Sequence, residues 1–146
     1  MSRERATVPS GDLPEVVDLE AVAEREAANT LRQYDLMSSM VEDALRTGRF
    51  RLRVSSILSL HREALSGLSQ DAGSVRRQPV RIQKAEHLPP RYEKVPDFVD
   101  DLCDYINDSS EASALHLSAY VMWRLNWIHP FVDGNGRTSR AVSSCV

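Results

Sequence analysis

Apolar residues recur at three- and four-residue steps from Glu15 to about Arg46: Val16, Leu19, Val22 and Ala23, then Leu31, Tyr34, Met37, Val41 and Leu45. That spacing is the period of an amphipathic helix, and its length suggests two helices or one broken one. Gly48 closes the run, as a glycine past a helix C-terminus does. Ser55 and Ser56 offer caps for a further helix from Ile57 to about Leu65, stopped near Gly67. Val95–Asn107 sets Val95, Phe98, Val99, Leu102, Tyr105 and Ile106 on one side and Asp97, Asp100, Asp101 and Asp104 on the other, the pattern of a surface helix with a solvated acidic face. Ala112–Ile128 differs, being apolar around almost its whole circumference, which predicts a central, buried helix that delivers His129 from the core. Trp123 and Trp127, four apart on it, are expected to pack inside.

The only β pattern lies in Ser74–Pro90, where Val80 and Ile82 alternate with polar residues. Pro79 has no ladder donor and Pro89-Pro90 closes the segment, so it is an edge hairpin or none, with one side open to another strand. Residues 1–14, with Pro9, Gly11 and Pro14, read as a flexible tail, and 15–146 as one domain. A net charge of −3 and a pI near 5.8 give no basic footprint for nucleic acid. No apolar stretch has the length of a membrane span, and the charged start carries no apolar run of an export signal. Cys103 and Cys145 form neither a metal spacing nor a disulfide framework, so a cytoplasmic setting is expected.

Candidate chemistry concentrates in His129–Arg140, HPFVDGNGRTSR. Pro130 biases His129 out of the helical region and ends the apolar helix there. Phe131 is placed to anchor the loop. Gly134 and Gly136 permit positive φ, so successive N–H groups can converge on an anion, and RTSRAVSS after them can be helical, which puts that nest at a helix N-terminus. Arg137 and Arg140, three apart at the start of such a helix, oppose its dipole and each other; a bound polyphosphate reverses both signs, because each guanidinium can grip phosphate oxygens. Asp133 suits either a helix cap or a Mg²⁺ ligand, and His129 has the intrinsic pKa to take a proton from a hydroxyl. His61, His87 and His116 are expected to be structural or solvated.

The string matches HPFx[D/E]GNGRxxR at every defined position, and the chain resembles the Fic (Fido) family. Leu60-His61-Arg62 and the His87-Leu88-Pro89-Pro90 that trails the hairpin segment are similar to family elements in the same order, so the likeness spans roughly residues 20–146. The resemblance implies an all-α fold with a single β-hairpin flap, and protein adenylyl transfer: AMP moved from ATP to a Ser, Thr or Tyr hydroxyl of a target protein. It assigns His129 as general base, Asp133 as the Mg²⁺ ligand, and Gly134, Asn135 and Gly136 as the anion hole. Arg137, Thr138, Ser139 and Arg140 follow along the phosphates, with Arg140 toward the γ-phosphate. Val80, Arg81, Ile82 and Gln83 would cover the nucleotide and hold the target by strand addition.

Three departures qualify the match. Met122 stands where many members carry a histidine. Ser38-Ser-Met-Val-Glu42-Asp43 approaches the family's inhibitory [S/T]xxxE[G/N] segment, but ends in Asp43 and lies close to the Leu60-His61-Arg62 helix. The family's fold also runs on past the motif, so the domain is expected to be incomplete after Val146. A catalytically inactive remnant that binds nucleotide or partners, or a transferase using another phosphate donor, are the alternatives. Neither the target nor the oligomeric state is legible.

Overall fold

The computed structural model describes residues 18–146; the tail expected over 1–14 lies outside them. Five helices follow one another: α1 Leu19–Thr47, α2 Val54–Leu65, α3 Val95–Asp108, α4 Ala114–Ile128 and α5 Asn135–Cys145, with a short 3-10 turn at Tyr92–Lys94 leading into α3. No strand forms among the described residues. None of the helices is long and apolar enough to cross a membrane.

The N-terminal run is one unbroken helix rather than two. Asp18 caps it by accepting from the N–H groups of Glu20 and Ala21, and Gly48 ends it in the left-handed conformation (φ 66°). Its inward face is more polar than its apolar period suggests. Leu31, Tyr34 and Leu45 point to solvent, while Asn29 and Gln33 are buried beside Leu36, Met37 and Met40. The reason is α2. Asn29 donates to the carbonyls of Ala64 (3.2 Å) and Ser66 (2.8 Å), and Gln33 to that of Leu60 (3.0 Å), so α1 satisfies the end of α2. At its start, α2 takes no cap from Ser55 or Ser56; Arg53 occupies the N-cap position with no side-chain bond.

The central helix is α5, not α4. α5 packs on α4, α2 and α1, and Asn135, Thr138, Ser139, Ala141, Val142 and Ser143 are all buried. Their small side chains let neighbours approach closely: Ser118 donates to the Ser143 carbonyl at 3.1 Å, and Asn126 to Ser139 Oγ at 3.0 Å. α4 buries only Val121, Leu125 and Ile128 against α3 and α5. Leu115 (81%) and Trp123 (55%) are exposed, with Met122 beside them, so an apolar circumference does not mean burial all round. Trp127 alone of the two tryptophans packs inward, edge-on to Phe98. The acidic face of α3 is solvated, as expected.

Two leucine substitutions on α4 should therefore differ. Leu125→Ala removes a buried side chain and is expected to cost about 2–5 kcal/mol, whereas Leu115→Ala should stay within about 0.5 kcal/mol. Denaturant unfolding of both variants measures this, and equal losses would contradict the orientation of α4.

Candidate active site

The site begins where α4 ends. His129 is its C-cap, in the left-handed conformation (φ 49°, ψ 60°), with its N–H still bonded to the Leu125 carbonyl at 2.9 Å. A non-glycine residue held there stores roughly 1–3 kcal/mol of strain and persists only where the surroundings enforce it. The segment 74–90 does so. Arg76, 3% exposed, donates from Nε to the His129 carbonyl at 2.7 Å and from Nη2 to that of Ile128 at 3.4 Å, while its backbone N–H bonds the Pro130 carbonyl at 2.8 Å. His87 donates from Nε2 to the Trp127 carbonyl at 2.8 Å. The last carbonyls of α4 thus find donors in a loop some forty to fifty residues away in sequence.

That loop is closed without a ladder. A turn at Ile82–Ala85 (Ala85 N–H to the Ile82 carbonyl, 3.4 Å) reverses it, with Lys84 at φ 59°. Its base is held by Arg76, which bonds the carbonyls of Pro90 (2.5 Å) and Gln78 (3.2 Å). Pro79 accounts for the missing pairing near the base, since it has no N–H to give. Val80 and Ile82 are half-buried, and Arg81 and Gln83 exposed, so the alternation survives although no strand is formed.

His61 holds the other side of the motif loop. It is buried, stacked on Phe131 at 3.7 Å with 8° between the rings. The Gly73 N–H donates to its Nδ1 at 2.9 Å, which leaves the proton on Nε2 to donate to the Asp133 carbonyl at 2.9 Å. Two glycines are demanded here. Gly73 (φ 80°) has Arg62 where a Cβ would stand, and Gly134 (φ 79°) lies against His61 and Leu65. Asn135 completes the loop, accepting from the Phe131 N–H at 3.0 Å and donating to its carbonyl at 2.8 Å.

Gly134 is the N-cap of α5 and no side chain caps that helix, so its first-turn N–H groups are left to an anion or water. Gly136 sits inside the first turn and needs no positive φ, contrary to the sequence reading. Asn135 contributes to any anion hole through its N–H alone, its amide being committed to Phe131. Thr138 and Ser139 have buried side chains: the Thr138 N–H is bonded to the Gly134 carbonyl while its Oγ1 has no hydrogen-bond partner, and Ser139 Oγ accepts from Asn126 and donates to the Gly136 carbonyl. Arg137 and Arg140 do face outward. Arg137 lies 3.4 Å from Asp133 and 3.9 Å from Glu26 of α1, and the exposed Arg140 lines a groove of about 390 Å³ between α1 and α5. The α1 carboxylate that reaches the motif is Glu26; Glu42 is exposed on the following turns.

Asp133 is half-buried. Its Oδ1 accepts from the Gly134 N–H at 2.6 Å, and its Oδ2 has only the long contact to Arg137. One available carboxylate beside an anion site fits Mg²⁺ carried in with phosphates, which needs one or two protein ligands; it does not form an all-protein cage, and no group of three or more metal-binding side chains occurs among the described residues. The Cys103 thiol is pushed up to about 11 by burial and by Asp100 and Asp104, which disfavours its thiolate; burial raises Cys145 likewise.

Neither Arg76 nor the clamping role of His61 is evident from the sequence. The signal available for both is Gly73, three residues before Arg76 and bonded to His61, together with the position of His61 on α2.

Burial, aided by Arg137, lowers the His61 pKa below 6.5, against the opposing pull of Asp133 and Asp71. Between that lowered value and 6.5 the unfolded chain binds a proton that the folded chain does not, so stability rises with pH there. The contribution is complete above 6.5 and is lost as the pH falls below it toward the folded value. The melting temperature should drop as the pH falls below 6.5, and His61→Gln should flatten that dependence. Parallel curves for the two proteins would remove His61 from the account.

Comparison with known proteins agrees with this geometry. Residues 51–146 match the Fic/DOC family. The protein adenylyltransferase Fic of Drosophila persimilis is 32% identical over 122 residues, covering 81% of this chain and 23% of that protein. The protein adenylyltransferase fic-1 of Caenorhabditis briggsae is 31% identical over 98 residues, covering 65% and 19%. A solved structure of Fic-1 residues 134–508 from C. elegans superposes with a TM-score of 0.70 at 21% identity, covering 94% of this chain and 37% of that one. The chain spans about a fifth to a quarter of the length of the two adenylyltransferases. With its motif intact and two thirds of its length matched, this chain belongs to the Fic/DOC family.

Proposed function

We propose that this chain carries the catalytic site of a protein adenylyltransferase, moving AMP from ATP to a Ser, Thr or Tyr hydroxyl of a target protein. The observation that carries the reading is the uncapped start of α5, whose first-turn N–H groups and Arg137, 3.4 Å from Asp133, follow directly on the clamped loop that begins at His129. That arrangement suits a polyphosphate: the α- and β-phosphates against the N–H groups of Asn135 and Gly136, and of Gly134 once Asp133 Oδ1 releases it, and Arg137 and Arg140 along the tail, with Arg140 toward the γ-phosphate. Asp133 would hold Mg²⁺ together with the phosphates, where the cation neutralises their charge. His129 takes the proton of the incoming hydroxyl as its oxygen bonds the α-phosphorus; the bond to the β-phosphate oxygen breaks and pyrophosphate leaves. The relatives' printed names support this assignment.

The flap role falls to 80–83. Val80 and Arg81 have no backbone bonds among the described residues, so this stretch is open to pair with an extended target segment. The reading places the enzyme in the cytoplasm, in keeping with its free thiols.

His129→Ala should abolish transfer from α-labelled ATP to a peptide library carrying Ser, Thr and Tyr, while Mg-ATP affinity stays nearly unchanged, because the base acts on the acceptor. Undiminished transfer would remove His129 as the base. Arg140→Ala should weaken ATP binding about tenfold and ADP binding less, the low end of a charge-assisted contact because Arg140 is exposed. Calorimetry showing equal losses for the two nucleotides would move Arg140 away from the γ-phosphate.

A further inference from the structure

We propose that Arg76 is a positioning residue for the transfer reaction, holding the strained backbone of His129 and the base of the 77–90 loop in one fixed relation. The proposal rests on the reading of His129 as the base and extends it to a residue outside the motif. Its ground is the donor geometry. All four of the side-chain bonds go to carbonyl oxygens: His129 at 2.7 Å, Pro90 at 2.5 Å, Gln78 at 3.2 Å and Ile128 at 3.4 Å. No carboxylate comes within ion-pair distance of this guanidinium among the described residues, although Arg76 is 3% exposed; Glu93, paired with Arg91 at 3.2 Å, acts on it only from farther off. A buried cation with so distant a counter-charge is costly, and it is tolerated here because the end of α4 presents negative dipole charge and oriented carbonyls.

The geometry of a guanidinium is what the site uses. Its planar fork reaches in separate directions to the residue preceding His129, to His129 itself and to both ends of the loop; an ammonium at the same place is a single point on a longer stem. His129 sits at φ 49°, a conformation that its own sequence does not favour, and the Nε bond falls on its own carbonyl. The same side chain closes the loop that is placed to hold the acceptor. Arg76 therefore sets where the base stands relative to the hydroxyl, and leaves the nucleotide contacts of α5 to other residues.

The test compares Arg76→Lys and Arg76→Met with the parent 146-residue chain, using Mg-ATP and the peptide library as probes. Transfer at saturating ATP should fall at least about thirtyfold, since displacing a base by about an ångström costs on that order, while Mg-ATP affinity stays within about threefold. Amide exchange should quicken about tenfold at His129 and at position 76, whose N–H groups bond the Leu125 and Pro130 carbonyls, and remain unchanged in the core of α3. Unreduced transfer, a parallel loss of nucleotide affinity, or unfolding of both variants would each overturn the proposal, the last by making Arg76 a general support of the fold. A parent chain with no transfer would sink the reading of His129 alone. Exchange then still decides for Arg76: faster exchange at His129 and position 76 keeps the clamp, and unchanged exchange removes it.

Discussion

A helix that stops inside a protein leaves its last carbonyl oxygens in need of donors, and α4 stops beside the candidate active site. Everything local follows from how that need is met. Trp127, Ile128, His129 and Pro130 present their carbonyls, and Arg76 and His87 supply the donors from a loop that has no regular structure to hold itself together. The loop gains its shape from the helix end, and the helix end gains its termination from the loop. Neither is independent, so the proposed base and the segment proposed to present the acceptor are one mechanical unit.

On the far side of the motif the same logic recurs with a different donor. His61 ties Gly73 to Asp133 through its two ring nitrogens, and its face supports Phe131. The motif loop is thus gripped from α2 as well. Within the twelve residues the labour divides cleanly. Phe131, Asn135, Thr138 and Ser139 are turned inward and make the shape, while Asp133, Arg137 and Arg140 are left toward solvent. Opposite charges meet in that outward set, since Arg137 lies near both Asp133 and Glu26. A phosphate chain would have to compete with those partly exposed pairs, whose strength is small in water.

Much of this is legible in the amino-acid sequence. The motif, the role of Gly134 as a turn into α5, the stop at Gly48 and the solvated aspartates of α3 all depend on local chemistry, which a sequence displays. The failures are of another kind. Periodicity reports that a face is apolar, not what lies against it, so α4 looks central when only Val121, Leu125 and Ile128 are covered. α5 carries little apolar signal because, apart from Val142, its buried face is built of Asn135, two serines, a threonine and an alanine, which pack by closeness rather than by bulk. α1 hides its contact face in Asn29 and Gln33, whose partners are backbone carbonyls some thirty residues on. Arg76 is invisible for the same reason: its acceptors are main-chain atoms, and main chain carries no letter in a sequence.

The left-handed backbone at His129 carries a consequence for how such a chain evolves. Glycine is the one residue that would relax there, gaining on the order of 1 kcal/mol from the lost steric conflict while discarding the imidazole. Selection for folding and selection for chemistry thus pull this codon in opposite directions. A lineage freed from the need to catalyse has a short, stabilising path to silence at the one position where an active lineage must accept strain. If His129 is the base, as proposed, the strain at this position is the stability given up for its imidazole.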